Sequence, residues 1–155
     1  MSKRCLVTGG SGFIGSHLVE QLLGRGHRVT VIDNYSTGRP LNLAHLKQRP
    51  ELRVEQADIN DAARIAPLFD GVDWVFHLAA LADIVPSIQM PTHYHRANVD
   101  GTAAVLEAAR TAGIKRFLYA ASSSCYGIPD HYPTAETAEL RPQYPYALTK
   151  LVGEQ

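Results

Sequence analysis

The chain has 155 residues, one domain's worth and enough to bury a genuine core, so small disulfide-stapled and fibrous classes drop out. Its 15 Lys and Arg balance its 15 Asp and Glu, which leaves neither nucleic acid nor an anionic membrane a chain-wide electrostatic reason to bind. With 45% hydrophobic and 19% charged residues, the composition is that of a globular, charge-poor domain suited to covering surface against a second domain or subunit.

In chain order, Cys5-Leu6-Val7 reads as a first strand, and Gly9 to Gly15 follows it as a glycine-rich turn. Ile14, Leu18, Val19, Leu22 and Leu23 fall at helical spacing, with Gly24-Arg25-Gly26 as the stop. Val29 to Ile32 and Leu52 to Ala57 read as the second and third strands. Asp61 to Phe69 reads as a helix that Asp61 can cap. Trp74-Val75-Phe76 is the fourth strand, Thr92 to Ala112 a longer Ala-rich helix ending at Gly113, and Phe117 to Ala120 the fifth strand. The order βαβαβαβαβ demands parallel strands, right-handed crossovers and helices on both faces: a doubly wound α/β domain. Two loop-like stretches, residues 34–40 and 127–145, leave the carboxyl ends of strands, where ligands sit in such sheets.

Cys5 and Cys125 have no metal-ligand or disulfide-framework spacing and read as buried thiols. No run reaches signal-peptide or membrane length, so the expectation is a cytoplasmic protein. The histidines offer no metal pair, and His77 reads as a satisfied core residue.

Gly9, Gly12 and Gly15 stand directly between a strand and a helix. Gly9 allows the tight turn, Gly12 lets the backbone approach a pyrophosphate, and Gly15 lets helix and strand pack closely. The helix start then offers free N–H groups to the phosphates. Asp33, at the end of the second strand, can accept both adenosine ribose hydroxyls and would repel a 2′-phosphate, which favours NAD over NADP; Arg39 is the one nearby counter-indication. Asp58-Ile59 either lies beside the adenine or caps the next helix. Tyr146 and Lys150 are four residues apart, so on a helix they share a face and the ammonium favours the ionised phenol, a general base for an alcohol or sugar hydroxyl.

These features, with His77-Leu78-Ala79-Ala80, Asn98-Val99-Asp100-Gly101-Thr102 and the serine run before Tyr126-Gly127, resemble the extended short-chain dehydrogenase/reductase family. Within it they look like the NAD-dependent nucleotide-sugar epimerases and dehydratases, on a Rossmann fold. The resemblance covers essentially the whole chain. It implies Ser122 as the catalytic hydroxyl, Tyr146 as the base, and Lys150 as the residue that holds the nicotinamide ribose and favours the ionised phenol. It also implies an NAD site lined by Phe13 and Ile14, by Asp33, Asn34, Ser36, Thr37 and Gly38, and by Leu78, Ala79, Ala80 and Leu81. Ser123 and Ser124, beside Ser122, would contact substrate. Apart from the resemblance, Tyr126 reads by default as core or loop packing, with a wall of the nicotinamide pocket as its other reading.

Family dehydratases carry an Asp-Glu pair after the catalytic hydroxyl, and the nucleotide-sugar decarboxylases a Glu at the position of Ser124; here Ser123-Ser124 fill those places. Epimerisation at the sugar C4 needs neither, so a UDP-hexose 4-epimerase is the subclass expected, with a UDP-sugar as partner. Ala82 stands where the galactose-type epimerases have a Lys, and Ala97 replaces a usual polar residue before Asn98. Family members run to about twice this length, so residues 1–155 are expected to be an NAD-binding domain that stops just after the Tyr-Lys motif, without the nucleotide-sugar domain. Family dimers use the Ala-rich and Tyr-Lys helices, which points to a homodimer. A non-catalytic NAD-binding module is the rival reading, since it shares the glycine motif and Asp33.

Overall fold

The computed structural model describes residues 1–155. Five parallel strands, β1 (Arg4–Thr8), β2 (Arg28–Asp33), β3 (Leu52–Gln56), β4 (Trp74–His77) and β5 (Arg116–Tyr119), form one sheet in the order β3-β2-β1-β4-β5. The apolar runs of β1 and β2 are buried almost throughout because the sheet is covered on both faces there. In register, Val7 of β1 lies between Val31 of β2 and Phe76 of β4. The edge strands β3 and β5 are more exposed, as expected from their position.

One face is covered by α1 (Phe13–Gly24), whose Val19, Leu22 and Leu23 pack on Cys5, Val7, Val29 and Val31. Gly26, at φ +77°, ends that helix in the left-handed region that glycine tolerates best. The other face holds α2 (Ala62–Ile65) and a long helix over residues 91–111, which bury Ile65, Phe69, Val105 and Ala109 against Leu6, Ile32 and Val75. Asp61 caps α2 by accepting the Arg64 N–H at 3.1 Å, and a 3₁₀ turn continues the chain from Ala66 to Phe69.

Two features depart from the expected elements. A short helix α3 (Ile84–Gln89) precedes the long one, and a 3₁₀ helix spans Pro40–Leu46. The long helix itself consists of α4 (Pro91–His95), a π-helical segment (Arg96–Asp100) and α5 (Gly101–Thr111). The last element, α6 (Pro145–Glu154), begins with Pro at its first position, where a missing N–H costs no helical bond. No helix is long and apolar enough to cross a membrane.

Strand order reverses between β1 and β4: the chain moves outward through β2 and β3, then returns to the far side of β1. The loops leaving β1 and β4 therefore part and open a crevice at the carboxyl ends of the strands.

Candidate cofactor cleft and catalytic group

That crevice is a cleft of about 580 Å³. All sixteen residues named above for the cofactor, other than Tyr146 and Lys150, line it: Gly9, Gly12, Phe13, Ile14 and Gly15 from the first loop; Asp33, Asn34, Ser36, Thr37 and Gly38 after β2; Asp58 and Ile59 after β3; Leu78 to Leu81 after β4. Seven more lining residues were not anticipated. Ile32, Ala57, Asn60 and Ala120 neighbour the expected segments, whereas His93, Arg96 and Ala97 come from the start of the long helix. Their spacing of i, i+3 and i+4 is one helical stripe, the sequence signal that could have found them.

The glycine loop is built by contact. Gly9 has φ +68°, and a Cβ there would sit 2.8 Å from the Ala79 backbone nitrogen. A Cβ on Gly15 would collide with the Gly9 carbonyl and the Gly10 Cα, so helix and loop approach only because it is absent. Gly12 caps α1 without a side chain, no acidic residue stands in the first turn, and the N–H groups of Phe13, Ile14 and Gly15 point out of the helix start without intrahelical partners. The positive end of α1 is thus offered to an anion in the cleft.

Asp33, 7% exposed, braces this loop. One carboxylate oxygen accepts the Ser11 N–H at 2.9 Å and the other the Tyr35 N–H at 2.8 Å. A carboxylate offers about four acceptor sites, so both oxygens retain capacity for ribose hydroxyls. A Cβ on Gly38 would lie 2.8 Å from each of these oxygens, which explains the glycine there. Arg39 is exposed, does not line the cleft, and gives its N–H to the Ser11 carbonyl at 3.0 Å. Of the two roles weighed for Asp58, the cap belongs to Asp61 instead. Asp58 faces the cleft and accepts from the Asn60 backbone at 2.8 Å and from Asn34 Nδ2 at 3.1 Å. Burial pushes its carboxyl up, but these hydrogen bonds and the Arg96 charge outweigh it and hold the group below the ordinary range.

Beyond Ala120 stands a second group of side chains. Tyr146 Oη donates to Ser122 Oγ at 3.5 Å, and Ser122 Oγ also accepts the Ser124 N–H at 3.2 Å as it caps a 3₁₀ turn. With two donors on its oxygen, the Ser122 hydroxyl proton is free to point at a ligand. Ser123 is exposed and Ser124 half-buried; neither lines the cleft. Tyr126 does not line the cleft, and its hydroxyl donates to the Glu136 carbonyl of the neighbouring loop at 3.4 Å. Lys150, one turn beyond Tyr146 on α6, is 4% exposed, and burial pushes its ammonium down to about 8.

Asn98 joins the two groups. Buried in the π-helical segment, it accepts the Leu81 N–H at 2.8 Å, donates to the Leu81 carbonyl at 3.0 Å and to Thr149 Oγ1 at 3.0 Å. A single amide therefore bridges the cleft wall and the helix of Tyr146 and Lys150.

The glycine cradle, the free N–H groups and the braced carboxylate fit a dinucleotide. A family model, the NAD dependent epimerase/dehydratase family, matches residues 5–155, and the chain belongs to that family. The UDP-glucose 4-epimerase of Mycolicibacterium smegmatis is 40% identical over 153 residues, covering 97% of this chain and 49% of the relative. The UDP-N-acetylglucosamine 4-epimerase of Methanobrevibacter ruminantium superposes with a TM-score of 0.93 at 36% identity, covering 99% of this chain and 48% of that one. The dTDP-glucose 4,6-dehydratase DesIV of Streptomyces venezuelae, solved with NAD, superposes with a TM-score of 0.93 at 37% identity, covering 97% and 49%. The chain spans about half the length of the relatives it matches.

Proposed function

We propose that residues 1–155 form the NAD-binding domain of a nucleotide-sugar epimerase acting at C4 of a UDP-hexose. The observation that carries this reading is the pairing of the glycine-lined cleft with a Ser122–Tyr146 hydroxyl pair two residues beyond Ala120, itself a lining residue. The α1 N-terminus takes the pyrophosphate, Asp33 the adenosine ribose, the Asp58–Ile59 segment the adenine, and Lys150 the nicotinamide ribose. Bound NAD supplies the acceptor and returning donor of the hydride.

This chain's residues handle the proton. The Ser122 hydroxyl hydrogen-bonds to the sugar O4, keeping its own proton, and fixes O4 beside Tyr146. Tyr146, as the base, takes the O4 proton as C4 is oxidised to the ketone, and gives it back when the sugar is reduced on its other face. Nothing in this exchange calls on an acid-base pair at positions 123 and 124, where the chain has serines. This favours epimerisation over dehydration among the activities of the family. Ser123 and Ser124 are assigned to substrate.

The enzyme is read as cytoplasmic, in keeping with two free thiols, and as a homodimer. The exposed Leu106 on α5 and Leu148 and Val152 on α6 supply an apolar face for the second subunit. Incubating the full-length protein with NAD and either UDP-glucose or UDP-N-acetylglucosamine tests the activity. The C4 epimer of at least one is expected, and formation of neither would overturn the assignment.

A further inference from the structure

Lys150 presents a problem that the assignment above leaves open. Its side chain is 4% exposed, yet no carboxylate lies within ion-pair distance of Nζ and no hydrogen-bond acceptor in the protein receives from it. Nζ keeps a little contact with solvent, but a charge so largely stripped of water without a partner is costly. The group that does meet it is aromatic: Nζ stands 4.1 Å from the centroid of the Tyr119 ring. Tyr119 comes from the end of β5, and its hydroxyl donates to the Lys150 carbonyl at 3.3 Å, so one side chain grips both ends of the residue. Gly153 leaves room for that hydroxyl, since a Cβ there would collide with it.

We propose that Tyr119 is the positioning residue of Lys150, its ring supplying the negative face that seats the buried ammonium. The inference rests on reading Lys150 as the ribose ligand only for its consequence in cofactor binding; the seat itself is geometry. The surroundings fit. The His77 ring stacks on Tyr119 at 5.8 Å and 28°, and burial pushes that imidazole down to about 3, so no second cation competes for the ring. The other titratable groups felt by Lys150 are Cys125 on the 3₁₀ turn and Glu154 on α6, both of which favour the ammonium. The Cys125 thiol is itself pushed up by burial, so at neutral pH it carries no charge to serve as a counter-ion.

The test uses the protein labelled in its lysine side chains, with Lys150→Arg assigning the resonance. In the unmodified protein the ε-methylene protons of Lys150 are expected to be displaced upfield by the ring current of Tyr119. Tyr119→Phe keeps the ring, and should leave the Lys150 titration midpoint and NAD affinity within about twofold of the parent. Tyr119→Leu removes it, and should lower the midpoint by about one pH unit and weaken NAD binding by roughly tenfold. An unshifted ε-methylene in the unmodified protein overturns the proposal even if Tyr119→Leu does not fold. So does a folded Tyr119→Leu protein whose Lys150 midpoint matches that of Tyr119→Phe. If the Lys150 signals behave as expected but NAD does not bind, the seat stands and the cofactor reading fails.

Discussion

The hydroxyl of Thr8 and Nδ1 of His77, 69 residues apart in sequence, meet at 2.6 Å across the point where the sheet reverses its order. The Thr102 hydroxyl donates to the Asn98 carbonyl at 2.6 Å, so its oxygen accepts from His77 Nε2 at 2.9 Å. Nδ1 is then the acceptor and Thr8 the donor. The Thr8 oxygen in turn accepts the N–H groups of Leu78 and Ala79 at 3.2 Å, which shapes the cleft wall. One imidazole tautomer thus connects β1, β4 and α5 beneath the site.

His77→Leu leaves the buried Thr8 hydroxyl proton without an acceptor and should cost about 1–3 kcal/mol. A melting temperature lowered by roughly 3–10 °C would register it. The pH dependence is more diagnostic. Because burial lowers the folded-state value from 6.5 to about 3, the unfolded chain binds the extra proton first as pH falls. Stability contributed by neutral His77 is therefore complete above about pH 6.5 and is lost between there and pH 3, on the order of 4 kcal/mol in all. Denaturant titrations should show this acid limb in the parent and a flatter one in His77→Leu.

Lys150 acts at the other end of the scale. Its folded-state value, lowered from 10.5 to about 8, makes the unfolded chain the better proton binder between those limits. Its contribution to stability therefore rises as pH climbs from 8 to 10.5. Lys150→Met removes the buried charge and should gain about 1–3 kcal/mol at pH 7. That gain should shrink above pH 8, while NAD binding weakens at every pH. The difference between the two proteins isolates this effect from Cys5 and Tyr119, which burial pushes up to about 11 and about 12.

Ser122→Ala and Tyr146→Phe remove the two hydroxyls of the proton path without disturbing the cleft. In the full-length protein each should lower turnover by roughly 10²- to 10⁴-fold. NAD affinity should stay within about threefold for Ser122→Ala, because its hydroxyl is assigned to the substrate O4 and not to the cofactor. Turnover measured alongside cofactor titration checks both statements.

The five strands and the glycine motif were legible in the sequence because both are local: a buried parallel strand is a short apolar run, and the glycines sit where backbone meets backbone. The expected helix over residues 92–112 differs by one residue at each end from the observed Pro91–Thr111. Its π-helical segment was not legible. There the helix accommodates Asn98, whose amide is committed to Leu81 and Thr149 from two other parts of the chain. Helix α3 escaped notice because it is six residues long and holds Pro86.

Gly38→Ala puts a methyl group against both oxygens of Asp33. The loop is largely exposed, so the fold should hold, with a melting temperature within about 3 °C of the parent. The carboxylate must shift, and NAD affinity should fall by about tenfold or more. Asp33→Ala should fall further, because it also releases the Ser11 and Tyr35 N–H groups.

The most direct test of the account is calorimetric titration of the 155-residue chain with NAD and with NADP, alongside a melting curve on the same sample. One NAD per chain is expected, with NADP at least roughly tenfold weaker and NAD binding lost in Asp33→Ala. A chain that melts cooperatively yet binds neither dinucleotide, or binds NAD equally well without Asp33, would contradict it.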